Sequence, residues 1–338
     1  MKWSRDLRTA RRGLRTAMRA ASAMIAPSAA RDIVRHDVAQ RSIAASAVGE
    51  LIVVPDFAAD PAGLSMLAYR PSGLTAGAPL VVLLHGCGQD PAAFAAEAGW
   101  MALADSVGLG LVLPTQSLEN NRQGCFNWFR PAQVGRGLGE AQSIRAMVAE
   151  AVRRFGSDQH AVYVVGLSAG GAMAAALLAA YPDVFAAGAS VAGLPVGAAS
   201  GVASALTRMA QAGPDGRSPE DWADQVRRAA PAGYPGPWPR LSLWHGGLDT
   251  VVDPANAPLF ALQWRTVHGL AEAPSVITQH GLARRELWGS AGRPLVELWT
   301  IPAMAHGYPV AAAGVPSSAA LPVGISATHR IAEFWGLG

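Results

Sequence analysis

The sequence predicts an α/β fold, a mostly parallel central sheet flanked by helices on both faces. Three observations predict it. Short β-rich apolar runs, as at 80–84 and 161–165, take turns with stretches of helical apolar spacing, as at 139–155. The runs are apolar throughout instead of at every second residue, as in strands covered on both faces. The stretch 161–182 then passes from such a run through Gly166-Leu167-Ser168-Ala169-Gly170-Gly171 into an Ala-, Met- and Leu-rich helix former that stops at Pro182. That is a strand, a tight turn and a helix.

Taken in order, 51–54 and 64–69 read as an opening antiparallel pair, followed by the buried strand 80–84. Asp90-Pro91 supplies an N-cap and a proline at the first helical position, which predicts one helix to about residue 105, and 109–113 returns as a strand. Ile144, Met147, Val148 and Val152 set the apolar face of a helix over 139–155. After the strand-turn-helix unit comes a strand at 186–191. The Ala-, Gly- and Pro-rich segment 194–239 is expected to form a partial lid with one helix opened by Ser218-Pro219-Glu220. A strand at 241–244, a helix from Asp253-Pro254 to about 267, a strand at 294–301 and a helix at 328–335 complete the alternation.

With 338 residues, 51% hydrophobic and 15% charged, the chain can bury a large core. Its net charge of +3 is unevenly spread, because residues 1–41 carry Lys2 and nine arginines against three aspartates. A basic leader or arm is therefore expected over 1–45 and a single catalytic domain over 46–338. The leader reads either as an export signal, placing the protein outside the cell or in a periplasm, or as a basic amphipathic or disordered arm on a cytoplasmic protein. No run approaches the ~18 to 20 apolar residues that span a bilayer, so stable membrane insertion is not expected. A basic patch interleaved with aromatics is absent, which argues against a nucleic-acid partner.

The chemistry centres on Ser168. A G-x-S-x-G string between a strand and a helix is a nucleophile elbow, where the serine sits on a strained turn and glycines two residues to either side admit the crossing backbone. Serine needs a base, an acid to orient that base, and donors for the oxyanion. In the α/β-hydrolase order the acid follows the serine and the histidine comes last. Asp249, after the strand 241–244, and His306, after 294–301, fill these places. Asp253 competes with Asp249, but it precedes Pro254 at a helix start, where its carboxylate has an N-capping role. The backbone N–H groups of Cys87, in His85-Gly86-Cys87-Gly88-Gln89, and of Ala169 are the expected oxyanion donors. The two cysteines, Cys87 and Cys125, are either unrelated buried thiols or a disulfide. They are too few for a metal site, and no cofactor is expected.

His85-Gly86-Cys87-Gly88-Gln89, Cys125-Phe126-Asn127-Trp128-Phe129, Gly166-Leu167-Ser168-Ala169-Gly170-Gly171-Ala172-Met173, Tyr181-Pro182-Asp183-Val184-Phe185, Trp244-His245-Gly246 with Asp249, and Phe334-Trp335-Gly336-Leu337 together resemble the poly(3-hydroxybutyrate) depolymerase family of esterases, from about residue 50 onward. The resemblance implies an α/β-hydrolase fold, a serine esterase acting through Ser168, Asp249 and His306, and a short-chain hydroxyalkanoate polyester or its oligomers as substrate. It shades into feruloyl and acetylxylan esterases, so a carbohydrate ester is the alternative substrate; a non-catalytic binding module is the remote one. Where the family commonly reads Gly-Met-Gly-His-Gly, this chain has Ala303-Met304-Ala305-His306-Gly307. Trp128 is expected to wall the substrate pocket, or else to anchor its own loop, and Asn127 and His85 are expected to bind substrate.

Overall fold

The computed structural model describes residues 49–337 apart from 214–215, 291 and 313–318; the expected leader over 1–45 lies outside them. The described chain opens with strands β1 (Glu50–Val54), β2 (Ser65–Arg70) and β3 (Leu80–Leu84), helices α1 (Pro91–Glu97) and α2 (Trp100–Val107), and β4 (Gly110–Thr115). A short α3 (Pro131–Val134) precedes α4 (Gly139–Phe155), β5 (Val162–Leu167), α5 (Ala169–Ala180) and β6 (Ala187–Val191). Then come α6 (Val202–Ala210), α7 (Pro219–Ala229), β7 (Arg240–Gly246) and α8 (Asn256–Val267). Strands β8 (Val276–His280), β9 (Ala283–Ser290), β10 (Arg293–Ile301), β11 (Tyr308–Val310) and β12 (Ala320–Pro322) lead to α9 (Ala327–Trp335).

Among the described residues the main sheet has ten strands in the order β1-β2-β4-β3-β5-β6-β7-β10-β9-β8. The centre from β4 to β10 is parallel, and antiparallel pairs close both flanks. Successive side chains of a strand point to opposite faces. Leu80, Val82 and Leu84 therefore join one core with α4, α5 and α8, while Val81 and Leu83 join another with α1, α2 and α9. Burial on both faces is the reason these strands read as unbroken apolar runs.

Three expectations need correction. The single helix over 91–105 is two helices, because Gly99 takes a left-handed φ of 83° and turns the chain between Glu97 and Trp100. The helix expected at Asp253-Pro254 begins at Asn256, after a turn in which the Asp253 carboxylate accepts the Ala255 N–H. The segment 194–239 holds two helices, α6 and α7, where one was expected; Gln263 on α8 exchanges hydrogen bonds with both backbone groups of Val196 and donates to the Trp222 carbonyl, and Trp222 is buried with Leu194, Ala198, Ala172 and Val252. Within it α7 starts at the expected place, with a capping box between Ser218 and Asp221.

The strands that carry the loops with Asp249 and His306 are joined below those loops. Trp244 on β7 and Trp299 on β10 are register partners and stack at 4.5 Å. Beneath them the buried Glu297 accepts from Ser242 Oγ at 2.6 Å and from Arg285 Nε on β9 at 2.7 Å.

Candidate active site

Ser168 stands between β5 and α5 with φ 57° and ψ −118°, a conformation L residues rarely adopt. Its N–H donates to the Val191 carbonyl at the end of β6, at 2.8 Å, which pins the turn to the sheet. The flanking glycines are required sterically. A Cβ on Gly166 would run into the backbone of Gly170, and one on Gly170 into the backbone carbonyls of Leu84 and His85. Strand β3 and helix α5 therefore approach closely, with Gly170 in the first turn of α5 against the Leu84 and His85 carbonyls.

The loops after β7 and β10 lie together, with the Leu248 N–H on the Met304 carbonyl and the Gly247 N–H on the Ile301 carbonyl, both at 2.9 Å. This brings Asp249 and His306 into contact, His306 Nδ1 to Asp249 Oδ2 at 2.7 Å. The carboxylate faces Nδ1, so Nδ1 carries the proton and Nε2 keeps its lone pair. Asp249 Oδ1 accepts the N–H groups of Val251 and Val252, each at 2.8 Å. His245 Nε2, between Asp249 Oδ2 at 3.2 Å and the Val252 carbonyl at 3.0 Å, is a further donor. Burial opposes ionisation of Asp249, but the bonds from His245, His306 and the backbone outweigh it and hold the carboxyl well below the usual carboxylate range. Asp253, the competitor, has no hydrogen bond to a histidine among the described residues; its carboxylate accepts the N–H groups of Ala212 and Ala255 at 2.9 Å. No hydrogen bond closes between Ser168 Oγ and His306; in unliganded sites this contact is commonly long and tightens with substrate.

Cys87 and Cys125 form a disulfide, with sulfurs 2.08 Å apart. Neither the Cys87 N–H nor the Ala169 N–H has an acceptor among the described residues, so both are available to a ligand oxygen. Two residues expected to bind substrate have their side chains engaged within the protein. His85 is buried with both ring nitrogens in use: Nδ1 donates to the Gly86 carbonyl at 2.8 Å and Nε2 accepts the Gln116 N–H at 3.2 Å. Burial lowers its pKa below the ordinary histidine value, and the ring is neutral. Asn127 is buried too, and its side chain donates to Glu140 at 2.6 Å. Both side chains tie loop residues together. Trp128 is half-buried against a cluster that includes Ala172, four residues after Ser168 on α5, Trp222, and Val252, whose N–H bonds to Asp249.

Sequence reasoning missed His245, Gln116 and Glu140. An acidic residue in the first turn of a helix has an ordinary electrostatic reason to be there, so Glu140 gave no separate signal. No group of three or more His, Cys, Asp or Glu side chains able to hold a metal ion occurs among the described residues. Nor is any described helix long and apolar enough to cross a membrane.

A strained serine on an elbow, with an Asp–His pair at the ends of the following parallel strands, is the layout of an α/β-hydrolase. Comparison with known proteins agrees. The family profile described as Esterase PHB depolymerase matches residues 64–288. The chain is 40% identical over 303 residues to a poly(3-hydroxyalkanoate) depolymerase C of Paucimonas lemoignei, covering 88% of this chain and 72% of that one. The chain belongs to the esterase PHB depolymerase family. Other relatives of this esterase include an acetylxylan esterase of Coprinopsis cinerea, 33% identical over 266 residues, which span 77% of this chain and 70% of the relative. An acetyl xylan esterase from Aspergillus awamori shares the fold, with a TM-score of 0.73 at 24% identity over 86% of this chain and all (100%) of that one.

Proposed function

We propose that this esterase hydrolyses short-chain poly(3-hydroxyalkanoate) polyester or its oligomers through an acyl-enzyme. The observation that carries the mechanism is the 2.7 Å bond between Asp249 and His306, which leaves His306 Nε2 as the free base at the strand ends that also bear Ser168. Ser168 Oγ attacks the ester carbonyl and passes its proton to His306 Nε2; the C–O bond to the alcohol breaks as His306 returns that proton to the leaving oxygen. Water then adds to the acyl-enzyme with His306 again as base, and the acid product leaves Ser168. The N–H groups of Cys87 and Ala169 stabilise the oxyanion in both halves, and Trp128 walls the pocket. Likeness to the Paucimonas lemoignei enzyme supports the hydroxyalkanoate substrate, and likeness to the acetylxylan esterase supports a second reading, a carbohydrate ester. The disulfide supports an oxidising compartment, extracellular or periplasmic.

A panel of p-nitrophenyl butyrate, soluble 3-hydroxybutyrate oligomers, acetylated xylo-oligosaccharides and feruloylated sugars tests this reading. The hydroxybutyrate oligomers are expected to give the highest kcat/KM of the natural esters. Faster turnover of a sugar ester would replace the polyester assignment, and turnover by Ser168→Ala would remove the serine mechanism.

A further inference from the structure

Glu140 is fully buried in the first turn of α4, yet its side chain turns away from its own helix end and into the loop 116–127. There its Oε1 accepts from Gln116 Nε2 at 2.7 Å and from Asn127 Nδ2 at 2.6 Å, and its Oε2 accepts the Asn127 N–H at 2.8 Å. Both oxygens act as acceptors, as an ionised carboxylate does; burial pushes the Glu140 carboxyl up, and the hydrogen bonds from Asn127 and Gln116 and the charge of Arg130 oppose that. A buried carboxylate is tolerated only where strong donors replace water, and here the donors all come from one loop.

That loop reaches the Cys87 N–H by two routes. The first is covalent. Gln116 Nε2 also donates to the Cys125 carbonyl at 3.1 Å, and Cys125 is bonded to Cys87. The second runs through the Gln116 N–H to His85 Nε2 and from His85 Nδ1 to the Gly86 carbonyl, one residue before Cys87. An oxyanion donor works only within a few tenths of an ångström of the developing charge, and residues 86–88 include two glycines that give the loop little stiffness of its own.

We infer that Glu140 is a positioning residue which, through Gln116, Asn127 and His85, holds the Cys87 N–H where the oxyanion forms. The inference rests on the serine mechanism proposed above. Glu140→Gln keeps the shape but turns an NH2 group toward donors. The measurements are kcat and KM on p-nitrophenyl butyrate and the affinity for an alkylboronic acid, whose tetrahedral adduct on Ser168 places an oxygen in the oxyanion site. Loss of one oxyanion donor costs about 10²–10³ in kcat, so its displacement is expected to cost about tenfold. The expected pattern is a roughly tenfold lower kcat, a KM within about twofold, and boronate affinity reduced in step with kcat. Unchanged kcat and boronate affinity, with or without a lower Tm, would overturn the inference. Asn127→Ser, which withdraws the amide donor by shortening the side chain and keeps the backbone one, is expected to follow the same pattern by about two- to fivefold. It decides the matter if Glu140→Gln does not fold: wild-type kcat and boronate affinity in Asn127→Ser would then overturn the inference. Ser168→Ala separates the two readings, since its retained activity removes the mechanism, whereas its inactivity beside a wild-type-like Glu140→Gln removes the positioning role alone.

Discussion

At the scale of single residues, the site depends on atoms that cannot be moved far. Ser168 holds a rare backbone conformation because Gly166 and Gly170 let helix, strand and loop meet. Gly170→Ala would set a methyl group against the Leu84 and His85 carbonyls and is expected to destabilise the fold by several kcal/mol, about what severe core overpacking costs, as read by urea denaturation. Ser168→Ala changes no such contact. It is expected to leave the Tm within a few degrees of wild type while ester hydrolysis falls by about 10⁶. Asp249→Asn offers His306 the wrong partner for its Nδ1 proton, and kcat is expected to fall by about 10⁴. The same carboxylate bears on stability. Its folded pKa is depressed, so its contribution is complete above the unfolded aspartate value, about 3.9, and is lost as pH falls further. The stability difference between wild type and Asp249→Asn is therefore expected to be constant from pH 5 to 8 and to shrink below about pH 4 in denaturant titrations.

At the scale of elements, helix α8 gives a pH signature separate from catalysis. His268 caps its C-terminal end, with Nε2 on the Pro239 carbonyl just before β7. Burial lowers its pKa to about 4, against the opposing effect of that hydrogen bond. Between pH 4 and the unfolded histidine value near 6.5, the unfolded chain binds a proton that the folded chain refuses. Stability from this group is thus complete above about pH 6.5 and is lost as pH falls, by roughly 3 kcal/mol at pH 4. His268→Gln retains a donor for Pro239 and removes the titration, so its stability is expected to vary less over that range. An unchanged slope in urea melts at pH 4 to 7 would show that His268 is not its source.

At the scale of the whole molecule, the Cys87–Cys125 disulfide joins the loops after β3 and β4 across 38 residues of chain. Closing a loop of that length in the unfolded state is worth about 4 kcal/mol in the chain-entropy view. The double variant Cys87→Ser/Cys125→Ser is expected to lose most of that stability. It should also lose kcat in excess of KM if the Cys87 N–H is the oxyanion donor proposed above. Native protein should offer no thiol from this pair to a mass-labelling reagent until it is reduced. Labelling of both cysteines without reduction would remove the bridge.

The sequence by itself determined the alternation of strands and helices, the elbow, and the order serine, acid, histidine. Each signal is local: an apolar run covered on both faces, a glycine that permits one turn, a residue placed just after a strand. The tertiary structure decided matters that depend on residues far apart in the chain. Val276–His280 and Ala283–Ser290 escaped notice as strands because they lie toward the sheet edge, where an exposed face imposes no apolar run. His85 and Asn127 carry polar groups suited to a ligand, and only their burial reveals that Gln116 and Glu140 already occupy them. The contact of Asp249 with His306 depends on which loop lies beside the one after β10, a meeting across 57 residues of sequence. Local patterning specifies elements because their backbone bonds and periodic faces involve neighbours in the chain. A buried polar network is specified by packing, which brings together partners that no sequence period relates.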